Sequence, residues 1–168
     1  MAKRLTSKQF YDESIYRQIK ITRYINGQVK LIRGYVESLV RKLAKFVIAK
    51  SYIETKGQFN ECRSYIKEQC TLYRDATFKH FEKELRKFIK EQAAWLYEYS
   101  PVKLKKVDID KSMRNIFFEG FSDTDNIESY TTRIFNQIAQ LWSTQLSIAY
   151  RTNLPMKEMV KLITGRNL

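Results

Sequence analysis

The sequence predicts an all-α protein, with a long antiparallel helical hairpin joined to a small C-terminal helical cluster. Apolar residues recur at spacings of three and four over long stretches, as they do on one side of a helix. Only five glycines and two prolines interrupt the 168 residues. No stretch shows the alternation of apolar and polar residues that is typical of strands. We therefore expect two parts, a basic helical hairpin over residues 1–106 and a C-terminal helical cluster over residues 107–168.

The first helix of the hairpin is predicted from about Ser7 to Glu54, with Thr6 or Ser7 as its N-cap. Gly27 and Gly34 interrupt it and predict a bend or a close helix contact. Its apolar residues step mostly by three and four, so we expect them to form one core-facing side. They are Ile15, Ile19, Ile25, Val29, Ile32, Val36, Leu39, Val40, Leu43, Phe46 and Val47.

The second helix is predicted from about Gln58 to Tyr99. We expect Lys56-Gly57 to stop the first helix and Pro101 to end the second. A short turn between two long helices favours an antiparallel pair. The apolar stripe expected to face the first helix comprises Phe59, Cys62, Ile66, Cys70, Tyr73, Phe81, Leu85, Phe88, Ile89 and Leu96.

Three shorter helices are predicted in the C-terminal part. One covers Asp108 to Phe118, and a second starts near a capping box of Asp125 and Glu128 and runs to about Thr152. The last follows the turn Asn153-Leu154-Pro155 and is closed by Gly165. The apolar face expected on the second of these helices carries Ile127, Tyr130, Ile134, Ile138, Leu141 and Ile148.

The excess positive charge of the chain is confined to its first part. Residues 1–106 contain 24 Lys and Arg against 11 Asp and Glu, whereas residues 107–168 contain seven of each. The whole net charge of +13 therefore belongs to the predicted hairpin. A surface with one sign of charge repels itself, and a polyanion relieves that repulsion.

The densest basic stretch is residues 14–53, where Glu37 is the one acid among nine basic residues. Ordinary exposed helices mix acids and bases and gain stabilising pairs four residues apart. This stretch does not, which favours contact with phosphates over a solvated face that only keeps the protein soluble. The residues predicted to contact nucleic acid are Arg17, Lys20, Arg23, Lys30, Arg33, Arg41, Lys42 and Lys45.

Residues for catalysis or metal binding are sparse. His80 is the one histidine, and Cys62 and Cys70 lie eight residues apart on a predicted helix, too far to form a disulfide. Acidic pairs precede predicted helices, where N-capping explains them, and no glycine-rich phosphate loop occurs. We therefore expect no enzymatic activity, no catalytic residue, no metal site and no cofactor. No apolar run approaches the roughly 20 residues of a membrane span, so no membrane partner is expected.

The C-terminal stretch carries a recurring order of features. A polar turn (Ser122-Asp123-Thr124) precedes an aromatic residue, an Arg with an apolar neighbour, a helix with leucines, a tight turn and a short amphipathic helix. These are Tyr130, Arg133-Ile134, Asn136, Leu141, Leu146, Asn153-Leu154-Pro155 and residues 156–163. This order resembles the helical region of the phage head-morphogenesis (minor head protein) family. The resemblance implies a virion component that sits with the portal, contacts DNA and affects genome delivery.

Three functions stay open. The first is a non-enzymatic phage virion or head-assembly protein, located in the virion or the host cytoplasm, that contacts the DNA backbone. In this function, Tyr130, Arg133 and Trp142 contact the portal or another virion protein. The second is a cytoplasmic, non-specific nucleic-acid-binding accessory protein of a mobile element. The third is a helical interaction module whose basic hairpin binds an acidic protein or a membrane surface. Membrane binding requires an exposed apolar face, and we expect that face to lie in the hairpin core. The sequence leaves open the oligomeric state, the choice between DNA and RNA, and the identity of the protein partner.

Overall fold

The computed structural model describes residues 5–100, 106–119 and 126–165. Helix covers 88% of these residues, and no strand occurs among them, which confirms the predicted all-α class. The helices are α1 (Ser7–Ile48), α2 (Lys56–Tyr99), α3 (Ile109–Arg114), a π-helical segment (Asn115–Glu119), α4 (Ile127–Thr152) and α5 (Met156–Thr164).

The chain forms two compact units. Unit 1 comprises residues 1–32 and 78–129, and unit 2 comprises residues 33–77 and 130–168. Each unit therefore contains one segment of α1 and one of α2. The division crosses both long helices, whereas the sequence placed the boundary between residues 106 and 107. Helix α3 belongs to unit 1, and α5 belongs to unit 2.

In unit 1, the α1 and α2 segments pack antiparallel. The rings of Phe10 and Trp95 stack at 5.4 Å between centroids, and those of Tyr24 and Phe88 stack at 4.4 Å. Residue numbers rise along one helix as they fall along the other, as the predicted hairpin requires. The α3 region also packs on α2, because Phe117 meets Phe78 edge-on at 5.2 Å.

Unit 2 contains the large apolar core. Its α1 and α2 segments are also antiparallel, since Lys42 lies 6.0 Å from the Tyr73 ring centroid, Phe46 stacks on Tyr65 at 3.7 Å and Lys50 pairs with Glu61 at 2.8 Å. Helices α4 and α5 complete this core with side chains that are almost completely buried: Phe135, Trp142, Leu146, Met156, Met159 and Val160. The backbone N–H of Met156 donates to the carbonyl of Ser51 (2.8 Å), which joins the start of α5 to the turn between α1 and α2.

The connection between α1 and α2 differs from the prediction. Helix α1 ends at Ile48, and Lys56-Gly57 begins α2 instead of stopping α1. The reason is a capping box, in which Gln58 N–H donates to Thr55 Oγ1 (3.2 Å) while Thr55 N–H donates to Gln58 Oε1 (3.2 Å). A capping box also starts α1, where Gln9 N–H donates to Thr6 Oγ1 (3.4 Å). The predicted N-cap at Thr6 is therefore confirmed.

Gly27 and Gly34 have a different role from the one predicted. Helix α1 is continuous through both positions, and a Cβ atom placed on either glycine would meet nothing within 4 Å. No close helix contact therefore requires either glycine among the described residues.

Helix α1 carries apolar residues on two sides, and the predicted core face is wrong in its first half. In unit 1, Ile15, Ile19, Ile25 and Val29 are 45–58% exposed. Aromatic residues such as Phe10 and Tyr24 face α2 instead. In unit 2, Leu39, Leu43 and Val47 are fully buried, as the apolar pattern predicted.

Helix α4 shows the same ambiguity. Tyr130, Leu141 and Ile148, which belong to the apolar face expected from the sequence, are 46–48% exposed. The buried face instead contains Phe135 and Trp142 among its larger side chains. Both faces have helical spacing, so the periodicity did not determine which one packs on α1 and α2.

The capping pair expected at Asp125 lies outside the described residues. At the start of α4, Asn126 Oδ1 accepts the Ser129 N–H (2.7 Å).

Candidate nucleic-acid interface

In unit 1, α1 presents three exposed cations, Lys20, Arg23 and Lys30. None of them forms an ion pair with a carboxylate of the described residues. The Lys20 ammonium lies 4.6 Å from the centroid of the Tyr16 ring, which is itself half-exposed. These three charges are therefore available to an anionic ligand.

Arg17 was predicted to belong to this set, but its guanidinium lies against α2. Its Nε–H donates to Gln92 Oε1 (2.6 Å) and its Nη2–H donates to the carbonyl of Glu91 (2.8 Å). The guanidinium carbon is 4.4 Å from the centroid of the Trp95 ring. Burial lowers the pKa of Arg17 from its ordinary value, which nearby Glu91 and Glu13 oppose. Arg17 therefore packs within unit 1, which favours a stabilising role for it over the predicted phosphate contact.

In unit 2, the predicted cations of α1 differ in how far they are neutralised. Arg33 Nε lies 3.0 Å from one oxygen of Glu37, and Arg41 Nη2 lies 3.8 Å from the other. Two guanidiniums therefore share one carboxylate and keep a net positive charge. Lys42 lies 6.0 Å from the Tyr73 ring centroid, and neither Lys42 nor Lys45 forms an ion pair with a described carboxylate.

Gly27 lies among the cations of α1 in unit 1. It is four residues after Arg23 and three before Lys30, and residues three and four apart are neighbours on one side of a helix. A Cβ atom placed on Gly27 would meet nothing within 4 Å, so a ligand backbone has room to approach the helix closely between these charged side chains.

We call Lys20, Arg23, Lys30, Arg41, Lys42 and Lys45 the cationic residues of α1. All six are exposed.

A second cationic feature was missed from the sequence. A groove of about 560 Å³ in unit 2 lies between α2 and α4, with Arg63, Lys67 and Arg74 along its α2 wall. No carboxylate lines the groove. Apart from Ala139, the exposed part of the α4 wall consists of the neutral polar residues Asn136, Gln140, Ser143, Thr144 and Ser147. Arg74 is paired with Asp75 at 2.8 Å, whereas Arg63 and Lys67 have no described carboxylate partner.

A signal for this groove was present in the sequence. Helix α4 contains no charged residue from Ile134 to Tyr150, a run of 17 residues in a chain that is 29% charged. The cations of α2 recur at spacings of four and seven, which places them on one side of that helix. What the sequence did not show is that these two sides face each other.

The residues predicted to contact a protein partner separate into two groups. Tyr130 is half-exposed at the start of α4, and the guanidinium carbon of Arg133 lies 5.5 Å from its ring centroid. Trp142 is 1% exposed in the core of unit 2. A buried indole has no surface to offer a partner, so its assignment as a partner contact is wrong.

The cysteines lie in the core instead of a reactive site. Cys62 and Cys70 are both buried in unit 2 and are free thiols. Burial raises the pKa of the Cys70 thiol to about 11, and it also raises the pKa of Cys62. Neither thiol is therefore activated as a nucleophile at neutral pH. Within the described ranges, no three His, Cys, Asp or Glu side chains are grouped as metal ligands would be.

A bilayer-spanning helix is also absent from the part of the chain that the structure describes, because no helix there is both long and apolar enough.

Comparison with known proteins gives no match: no family model, no curated protein and no solved structure is similar to this chain.

Proposed function

We propose that this protein binds nucleic acid through the phosphate backbone, without reading the base sequence and without catalysis. The observation that carries the proposal is the set of cationic residues of α1, of which five have no carboxylate partner in the described structure. Phosphate contacts of this kind supply affinity and hold a protein on nucleic acid, but they carry no sequence information.

The balance of acids and bases separates this function from simple solubility. Exposed stretches of α2 mix the two signs, as at Lys83, Glu84 and Lys87, and such a face needs no ligand. The cationic residues of α1 have only Glu37 among them. Releasing the counterions held by nucleic acid gives binding a driving force that grows with each phosphate neutralised.

A more specific setting follows from the resemblance to minor head proteins. We propose that the nucleic acid is packaged phage DNA and that the exposed Tyr130 and Arg133 face the portal or another virion protein.

Co-purification with a portal ring tests the proposed contact between this protein and the portal. Retention by the ring should fall when Tyr130 and Arg133 are both changed to Ala and should persist when exposed Lys157 and Lys161 are changed. Equal retention of both variants would contradict the portal contact.

The experiment for the main proposal compares three charge variants in a nucleic-acid binding assay. Variant A changes Lys20, Arg23 and Lys30 to Gln, and variant B changes Arg41, Lys42 and Lys45 to Gln. Variant C changes the exposed Lys83, Lys87 and Lys90 of α2 to Gln and is the matched control, because it removes the same charge from a region that also holds Glu82, Glu84 and Glu91.

We expect A and B each to weaken binding by at least tenfold near physiological salt, and C to weaken it by much less. All three variants should keep the helical circular dichroism of the parent because every changed side chain is exposed. If C loses as much affinity as A and B, net charge alone controls binding and α1 is not the interface. If none of the three binds less well than the parent, the proposal is wrong.

A second function is favoured by the groove between α2 and α4. Its cations stand opposite neutral amides and hydroxyls, and its aromatic lining residue, Phe135, is buried and offers no ring face for base stacking. That combination suits an acidic peptide segment of a partner protein better than single-stranded nucleic acid. Binding of a fluorescent poly-glutamate peptide should be lost on changing Arg63 and Lys67 to Glu, while variant A should still bind it. Retention by the groove variant would exclude this function.

A further inference from the structure

We propose that a cleft between α1 and α2 in unit 2 holds one unpaired nucleobase, stacked on Tyr73 and hydrogen-bonded to Gln69. This inference rests on the proposed binding of nucleic acid and deepens it, because it identifies a strand with unpaired bases as the preferred ligand. The cleft shares no lining residue with the groove between α2 and α4.

The cleft has a volume of about 390 Å³, which accommodates a single base. It combines one cation with neutral polar, apolar and aromatic side chains, and no carboxylate lines it. An anionic group of a ligand would therefore meet a positive charge there without an opposing negative one. The lining residues that concern the ligand are Ser38, Lys42, Gln69, Leu72, Tyr73 and Ala76.

Gln69 has a carbonyl oxygen that is buried without a hydrogen-bond donor. The residue is 5% exposed, and its Oε1 has no partner among the described residues. Most buried polar atoms are hydrogen-bonded, because an unpaired one costs free energy. This oxygen only accepts, so the occupant of the cleft must bring an N–H or O–H donor. A carboxylate or an aliphatic side chain has no such donor, and neither satisfies Gln69.

Tyr73 and Lys42 supply the other two contacts that a nucleotide makes. The half-buried Tyr73 lines the cleft, and bases stack on tyrosine rings whatever their sequence. The Lys42 ammonium lies 6.0 Å from the Tyr73 ring centroid, at the outer limit of a cation–π contact, so this contact holds it weakly. A base stacked on the ring brings its own phosphate near Lys42, which is one of the cationic residues of α1.

The required donor distinguishes unpaired from paired bases. Every base has at least one N–H donor on its pairing edge, so any of them can satisfy Gln69. In a duplex these donors are used in base pairs and the faces of the bases are stacked on each other, so a paired base does not enter the cleft. The site therefore adds a preference for unpaired bases without reading their sequence, in agreement with the proposed phosphate binding.

Two strands of equal charge test the proposal by fluorescence anisotropy. One is an oligothymidylate of about 12 nucleotides, and the other has the same number of phosphates but abasic sugars throughout. Both strands offer the same phosphate contacts, so a difference in affinity comes from the bases. We expect the parent protein to bind the abasic strand at least about fivefold more weakly.

Gln69→Met tests the contribution of the buried amide. We expect it to reduce the preference for the oligothymidylate by about threefold and to leave binding of the abasic strand unchanged. Its melting temperature should not fall below that of the parent, because the change removes an unpaired buried amide. Gln137→Met is the matched control, since Gln137 is exposed on α4 outside the cleft and the groove, and it should behave as the parent does.

Three results would overturn the base site. Equal binding of the two strands by the parent protein would exclude it and leave the proposed phosphate binding intact. A preference that Gln69→Met does not reduce would mean that only solvent meets the Gln69 oxygen. Failure of the parent to bind either strand would contradict the proposed function and the base site together.

Discussion

Arg17 shows how tertiary packing removes one cation from a basic helix. Its charge, spacing and neighbours in the sequence match those of Lys20 and Arg23, yet its guanidinium is hydrogen-bonded to α2 and lies on Trp95. Sequence reasoning assigns such a residue by charge alone, because the aromatic and amide partners lie about 75 residues away.

Replacing Arg17 with Met should therefore affect stability more than binding. We expect the free energy of unfolding in urea to fall by roughly 1–3 kcal/mol, since two hydrogen bonds from a charged group and a cation–π contact are lost. Affinity for DNA should change little. Lys20→Met is the control and should give the opposite pattern, with weaker DNA binding and near-parental stability. An Arg17→Met protein with parental stability would contradict the packing role.

The glycines of α1 give a second prediction at this scale. Gly27→Ala and Gly34→Ala should each raise the free energy of unfolding by roughly 0.5–1 kcal/mol, because alanine favours the helix and its Cβ meets nothing within 4 Å. Gly165→Ala is the matched contrast. Gly165 closes α5 with a φ of +65°, so alanine there should lower stability. Thermal unfolding of the three single variants measures these differences. If Gly27→Ala unfolds at a lower temperature than the parent, the absence of a side chain at position 27 is required for a contact of the helix.

The buried thiols predict a dependence of stability on pH. The folded pKa of Cys70 is about 11, above the value of 9.0 for an unperturbed thiol, because burial disfavours the thiolate. The unfolded chain therefore loses this proton first, and the contribution of Cys70 to stability should be constant below about pH 9 and fall between pH 9 and 11. Urea unfolding across this range should show a shallower fall for Cys70→Ala than for the parent. Equal slopes would mean that Cys70 titrates alike in both states.

At the scale of elements, α4 shows why periodicity alone did not identify the core face. Its two apolar sides have similar spacing, and the side chosen from the sequence contains Tyr130, Leu141 and Ile148, all half-exposed. The side that packs contains the bulkier Trp142 and Phe135. The size of the side chains and the arrangement of the neighbouring helices decide which side packs. The arrangement of the neighbouring helices cannot be deduced from the sequence of α4.

A pair of substitutions in adjacent positions tests this assignment. Trp142→Ala should lower the free energy of unfolding by about 3–5 kcal/mol, as expected for removal of a fully buried aromatic side chain. Leu141→Ala should cost less than about 1 kcal/mol because half of that side chain is already in water. Chemical denaturation of both variants measures the difference. Similar losses would place Leu141 in a packed interface and contradict the observed faces.

At the scale of the whole molecule, several features could be predicted because they depend on local pattern. The helical class, the approximate positions of the helices and the antiparallel pairing of α1 with α2 all follow from short-range spacing and turn residues. Seven of the eight basic residues predicted to contact nucleic acid are exposed, and their contact with nucleic acid stays a prediction. Two further features depend on residues brought together by folding, namely the division of the hairpin into two units and the groove between α2 and α4.

The two units also differ in charge, which bears on the proposed function. Unit 2 carries 14 Lys and Arg against six Asp and Glu, a net charge of +8, and unit 1 carries 17 against 12, a net charge of +5. Both are positive, so α1 contributes cations to a basic environment in each unit. Binding to a polyanion should therefore be strongly sensitive to salt and insensitive to base sequence.

The salt dependence of DNA binding is the most direct test of the central claim. We expect the parent protein to neutralise about four to six phosphates. A plot of the logarithm of the binding constant against that of salt concentration should then have a slope between about −3.6 and −5.4, at about 0.9 counterion for each phosphate, and the slope should be equal for duplexes of different sequence. The triple change of Lys20, Arg23 and Lys30 to Gln should make the slope shallower by about 2 to 3. A parental slope near zero, or a slope unaltered by the triple change, would contradict phosphate binding by α1.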